Sequence, residues 1–192
     1  RSGKSVQALT ELDRLLAIDP HNPAYRNLKA AVLARIGDAQ GAIDLYQAIT
    51  KEYPDQPKVW LSLGHALKTA GNQEQSIAAY RRCIELSPQL GEAWWSLANL
   101  KTVKFDAADV EAMQAQLRRA DLTPEDRYHF HFALDKALED ARQFAPSFEH
   151  YSRGNALRRE VIAYDPHDTT DQVQRSKALF TPDFLAARAG SG

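Results

Sequence analysis

The feature that most constrains this chain is a period. Proline returns at Pro20, Pro54 and Pro88, and other residues return in step with it: Leu12, Tyr46 and Tyr80; Ala8, Ala42 and Ser76; Gly37 and Gly71; Trp60 and Trp94. The spacing is ~34 residues, a length that fits one helix pair per repeat. A single pair of that size cannot bury its own apolar face, so successive pairs must stack on one another. Small residues such as Gly64, Ala42 and Ser76 fall where two helices approach closely, and Tyr46 and Tyr80 fall where neighbouring pairs leave a gap. Gly37 and Gly71 suit the left-handed conformation that ends a first helix. Pro54 and Pro88 stop the second helix.

The pattern predicts helices at about 4–18, 24–36, 39–52, 57–70, 73–86 and 91–103, the first being the second half of an incomplete repeat. Tyr25 and Leu28 lie one residue early relative to Trp60 and Leu63, so the helix before Gly37 is expected to start out of phase. Beyond "GEAWWSLANLKTVKFD" (Gly91–Asp106) the period breaks. No glycine ends that helix; Phe105 is expected to plug the junction and Asp106 to cap a helix carrying Ala107, Val110, Met113 and Leu117 on one face. Thr123-Pro-Glu-Asp126 is a further helix start. In the next helices Leu134, Leu138, Ser147 and Tyr151 occupy the places of Leu63, Leu67, Ser76 and Tyr80. Asp135 stands in the place of Gly64, and Arg142 in that of Gly71. A long helix from about Phe144 to Ala163, one at about 169–179 and a short one at Pro182–Arg188 complete the reading.

Trp60, Leu63, Gly64 and Leu67, followed by Ser76, Tyr80 and Pro88, keep the order of the tetratricopeptide repeat, and the chain resembles that family. The resemblance implies an all-α, right-handed superhelix of antiparallel helix pairs with diverged C-terminal helices. The expected layout is a regular array to residue 104, diverged repeat-like helices over 105–165, and a helical linker over 166–192. The stretches "EAWWSLANLKTVKFD", "FHFALDKALEDARQFAPSFEHYSRGNALRR" and "LFTPDFLAARAGSG" carry a second resemblance, to bacterial tetratricopeptide-repeat sulfotransferases. It implies a catalytic domain downstream in the same chain, using 3'-phosphoadenylyl sulfate held by a P-R-S-G-T-T loop that these residues do not contain. No cofactor and no catalytic residue are expected within Arg1–Gly192 itself. "RSGKS" at Arg1–Ser5 looks like part of a phosphate loop, but the strand such a loop requires is missing and a repeat helix follows.

Composition narrows the function. With 24 basic and 25 acidic side chains, no charge excess points to nucleic acid or to a membrane surface. No run approaches the ~20 apolar residues that span a bilayer. Cys83 alone cannot form an internal disulfide and suits a reducing, cytoplasmic compartment. The chain opens at Arg1 inside a helical pattern, which reads as a piece of a longer protein. His129 and His131 alternate on a helix and cannot share a metal with His150 easily. Cys83 reads as a buried thiol, Arg153, Arg158 and Arg159 as a basic cluster, and Asp13, Glu139 and Asp140 form no acid–base pair.

The binding surface is expected on the inward side of the first helices. By register it comprises Asn27, Ala31 and Arg35, then Lys58, Leu61, His65 and Lys68, then Glu92, Trp95, Asn99 and Thr102. These suit an extended protein or peptide ligand, with acidic or amide contacts and an apolar anchor at Trp95. A peptide-binding module is the favoured reading. A self-associating scaffold and an enzyme fragment that itself aids sulfuryl transfer are the alternatives.

Overall fold

In the computed structural model, which describes residues 2–162 and 165–188, the sequence folds into eleven helices. They are α1 (Ser2–Ile18), α2 (Pro23–Ile36), α3 (Ala39–Glu52), α4 (Pro57–Thr69), α5 (Gln73–Leu86), α6 (Gly91–Ala98), α7 (Ala107–Leu117), α8 (Pro124–Asp140), α9 (Phe144–Val161), α10 (Pro166–Leu179) and α11 (Pro182–Ala186). Each helix packs on the next from α1 to α6, so α2/α3 and α4/α5 are stacked hairpins. The core runs along the stack in two clusters that meet at Trp60.

The in-step residues do the same physical job in each copy. Gly37 and Gly71 adopt φ of +94° and +82°, and the amides of Asp38 and Asn72 reach back to the carbonyls of Leu33 and Leu67 at 3.0 and 2.9 Å. These are the bonds that close a helix through a left-handed residue. The indole N–H of Trp60 donates to the Pro54 carbonyl at 2.7 Å, and that of Trp94 to the Pro88 carbonyl at 3.0 Å. The recurring tryptophan thus satisfies a carbonyl that the recurring proline turn leaves open. Gly64 marks the tightest crossing within a hairpin: a Cβ there would sit 2.4 Å from the Tyr80 ring. Ser76 donates to the Gly64 carbonyl at 2.9 Å and locks α5 to α4.

Two helix expectations are corrected. The helix α2 is in phase throughout. Ala30, fully buried, holds the place of Gly64, while Leu28 is 54% exposed. The place of Trp60 is taken by Arg26, buried and bonded at 2.7 Å to Glu52. A charged pair substitutes there for the indole, which is why apolar matching misplaced the register. The helix expected to run to about 103 ends instead at Ala98, with Lys101 turning the chain at φ +62°. That break lets Phe105 fold back against Trp94, ring centres 6.1 Å apart, with the Arg81 guanidinium 5.8 Å from the centre of its ring. Asp106 caps α7 through the Asp109 amide at 2.8 Å, and Arg81 pairs with Asp109 at 2.8 Å.

Because α7 is short, α6 packs mainly on α8. Their N-termini meet where Gly91 sits: a Cβ there would lie 2.3 Å from the Asp126 carbonyl oxygen. The Asp126 carboxylate accepts from the Gly91 amide at 2.9 Å and from the Thr123 hydroxyl at 2.6 Å. One acid therefore ties two helix starts together. Pro23 and Pro57 open α2 and α4, and the third position of that series is glycine because α8 leaves no room for a side chain.

The last pair, α8/α9, keeps the turn of the regular hairpins with different residues. Arg142 adopts φ +59°, and Gln143 reaches the Leu138 carbonyl at 2.8 Å, as Asn72 reaches Leu67. The left-handed turn survives the loss of glycine at a cost of about 1 kcal/mol. The helix α9 runs Phe144–Val161; Ala163, expected as its end, lies outside the described residues, as does the Arg1 end of "RSGKS". In α10 and α11 no residue is buried.

The two glycine contacts predict a graded effect. Gly91→Ala drives a methyl into backbone and should lower stability by about 2–3 kcal/mol. Gly64→Ala meets a side-chain ring, and Tyr46 already packs near Ala30, so its loss should be nearer 1 kcal/mol. Urea unfolding of both variants measures the order; an equal or reversed order contradicts the packing described.

Candidate functional site

The inward faces of α2, α4, α6 and α8 form one surface with three successive depressions. The first, ≈ 250 Å³, lies between α2 and α4 and includes Ala31, Ser62 and His65. The second, ≈ 700 Å³, lies between α4, α6 and the start of α8, and includes Lys58, Leu61, His65, Glu92 and His129. The third, ≈ 340 Å³, lies between α6, α8 and α9 and includes Trp95, Asn99, Phe132, Tyr151 and Arg158. The ring of Trp95 stacks on His129 at 5.3 Å and 28°, and this stack is the ridge between the second depression and the third.

The floor of the middle depression is a fixed polar chain. The Tyr80 hydroxyl lies 2.9 Å from His65 Nδ1, and His65 Nε2 lies 3.4 Å from Glu92. Burial pushes the Tyr80 phenol up to about 12, so the hydroxyl keeps its proton. The His65 hydrogen bond holds the Glu92 carboxyl below the usual carboxylate range. Burial pushes His129 down, which favours a neutral ring against Trp95. Tyr80 is buried, Cys83 is fully buried with its thiol pushed up to about 12 by desolvation, and the Ser62 hydroxyl, which lines the same depression, donates to the Lys58 carbonyl at 3.0 Å. The arrangement fixes charge and ring positions, which suits recognition.

The charges along the surface are sorted. Glu92, Glu125 and Asp126 face the middle depression beside Lys58 and His65. Lys101, Lys136 and Arg158 face the outer one, with Asp135 as its acid. The expected site residues divide accordingly. Lys58, His65, Glu92, Trp95 and Asn99 are brought together on the surface, and Ala31 lines its first depression. Leu61 lines the middle depression, and at 7% exposed it also belongs to the core between α4, α5 and α6. Thr102 is corrected. Because α6 stops at Ala98, Thr102 leaves the helical register and accepts a hydrogen bond from Gln73 on α5. Asn27, Arg35 and Lys68 line none of these depressions.

Register could have found the contacts that were missed. His129, Phe132 and Lys136 occupy in α8 the places that Lys58, Leu61 and His65 occupy in α4, and all three line the surface. The trace that matched Leu134 to Leu63 already contained them. The histidines also separate as helix geometry requires. His129 faces Trp95, while His131 is buried with its Nδ1 2.9 Å from His150 Nδ1. Among the described residues no three His, Cys, Asp or Glu side chains gather as a metal site. Among the described residues no helix is long and apolar enough to cross a membrane.

Comparison with known proteins agrees with this architecture. Residues 1–57 and 57–90 match two tetratricopeptide-repeat family models. The chain is 24% identical over 170 residues to an uncharacterized Aquifex aeolicus protein, covering 88% of this chain and 22% of that one. It is 30% identical over 116 residues to the small glutamine-rich tetratricopeptide repeat-containing protein 2 of Mycosarcoma maydis, covering 53% and 33%. A 90-residue stretch, 47% of this chain, is 32% identical to 21% of the probable biofilm formation methyltransferase WspC of Pseudomonas putida. The chain thus spans between about a fifth and a half of the curated relatives it matches. Among solved structures, MamA superposes with a TM-score of 0.62 at 16% identity, over 85% of this chain and 94% of that one. MamA from Desulfovibrio magneticus RS-1 gives 0.59 at 20%, over 83% and 89%. The chain carries tetratricopeptide repeats and has their superhelical fold.

The buried histidine pair predicts a pH effect. Burial lowers His131 from 6.5 to about 4 and lowers His150 as well. Between those values the unfolded chain binds the proton and the folded chain does not. Stability is therefore flat above 6.5 and falls as pH drops toward 4, by up to roughly 3 kcal/mol from His131. Thermal melts across this window should show the fall, and His131→Leu should flatten it. An unchanged slope in the variant rules the pair out as its source.

Proposed function

We propose that the inward face binds an extended segment of a partner protein, and that the module positions this partner for the rest of a longer chain. What carries the reading is the row of three depressions lined by successive first helices, with charge and ring positions fixed by the Tyr80–His65–Glu92 chain and the Trp95–His129 stack. Repeated units that each offer a few contacts suit an extended ligand better than a compact one. Half-buried rings such as Trp95 are the usual anchors of such contacts.

The longer chain is, in this proposal, of the sulfotransferase family, with a catalytic domain after Gly192 that uses 3'-phosphoadenylyl sulfate. Its support is the resemblance of Gly91–Gly192 to the linker region of those proteins. A repeat segment within a larger enzyme also has a parallel in the match to a protein named as a methyltransferase. The module's own part, in this proposal, is binding.

A random peptide library displayed on phage tests the groove. Selection on the folded chain should enrich a shared motif whose synthetic peptide binds at least tenfold more weakly to Trp95→Ala. Arg82→Ala, on the opposite face, should leave it unchanged. Enrichment of nothing, or equal binding to Trp95→Ala, overturns the reading.

A further inference from the structure

We infer that the depression between α6, α8 and α9 is a subsite for an acidic segment of the partner, a carboxylate side chain next to an aromatic one. The inference rests on the groove reading above and adds the chemistry of one part of it.

The subsite exists because α8/α9 departs from the regular hairpin in three places. Asp135 replaces Gly64, so the space into which Tyr80 packs is filled by a carboxyl, to which Ser147 donates at 2.7 Å. Phe132 and Gly154 replace Leu61 and Cys83: the bulk moves onto α8, and the Phe132 ring takes the room of the missing side chain, where a Cβ would be 2.9 Å away. Tyr151 and Asn155 stand in the places of Tyr80 and Ile84, which α6 covers. On α9 that cover is missing; Tyr151 is 48% exposed, and α10 buries none of its residues. This surface is therefore not the ordinary inner face of a repeat. It adds the uncovered side of a second helix.

Its chemistry selects the occupant. Trp95, Phe132 and Tyr151 offer three rings to an aromatic side chain. Lys101 and Arg158 make no ion pair among the described residues, whereas Lys136 is held by Asp140 at 2.5 Å. The acid of the lining, Asp135, is engaged by Ser147 at 2.7 Å, which leaves two unpaired bases against one hydrogen-bonded acid. A free guanidinium beside apolar walls favours a carboxylate. The Asn155 amide nitrogen donates to the Tyr151 carbonyl at 2.9 Å, which leaves its oxygen to accept a peptide N–H.

The indole N–H groups provide the test. Those of Trp60 and Trp94 are bonded to proline carbonyls and act as internal references, while Trp95 faces the subsite. The probes are acetyl-Ser-Asp-Phe-Ser-amide and its Asn-Phe, Lys-Phe and Asp-Ala counterparts, titrated into the nitrogen-15-labelled chain. The Asp-Phe peptide should shift the Trp95 signal and bind about fivefold more tightly than Asn-Phe or Asp-Ala. Arg158→Ala should abolish the Asp-over-Asn preference, and Arg158→Glu should turn it toward Lys-Phe. Equal binding of Asp-Phe and Asn-Phe, a preference for Lys-Phe in the unaltered chain, or a Trp95 shift that follows protein concentration alone, as for a second copy, overturns the inference. If phage-selected peptides need Trp95 but not Arg158, the subsite falls and the groove reading stands; if neither set of peptides engages Trp95, both fall.

Discussion

In the regular repeats the helices cross where the residue has almost no side chain. Ala30, Gly64 and Ala98 are the in-step residues at that crossing, and all are buried. At Gly64 an added methyl would press on the Tyr80 ring and force it to shift. From that close approach follow the Ser76 bond to the Gly64 carbonyl and the inward placement of Tyr80. The hold of Tyr80 on His65, and of His65 on Glu92, follows in turn. The binding surface is thus set by packing one layer beneath it.

The same constraint explains why the chain changes character at its far end. A carboxyl at Asp135 cannot be absorbed as a methyl can, and burying it unpaired would be costly. Ser147 supplies the partner, using the position from which Ser76 bonds backbone in the regular copy. The helices still pair extensively, but the ring that should lock them turns outward and joins Trp95 and Phe132. Divergence here exchanges a packing contact for exposed recognition surface. The surface that results is also polarised, with three acids around the middle depression and three bases around the outer one. An extended ligand would be oriented as well as held.

Much of this was readable from spacing. The period located the first five helices, the left-handed turns at Gly37 and Gly71, and the caps at Asp106 and Thr123. What was not readable has a physical cause in each case. Arg26 does the work of a tryptophan through a partner, Glu52, that is remote in sequence, so no local pattern reports it. Arg142 takes a conformation that a glycine would have announced. The early end of α6 depends on Phe105 finding Trp94 and Arg81, contacts made only in the folded chain. The α8 half of the site was in register all along, hidden by the α7 insertion ahead of it.

The claim that Asp135 keeps the Tyr151 ring out of the crossing of α8 and α9 is tested most directly in the variant Asp135→Gly. With the carboxyl gone, the Tyr151 ring should move into the crossing as Tyr80 does. Nuclear Overhauser contacts between the Tyr151 ring protons and the α-protons at position 135 report that move. The account predicts strong contacts in the variant and none in the unaltered chain. Contacts that are absent from both, with Tyr151 still exposed, would contradict it.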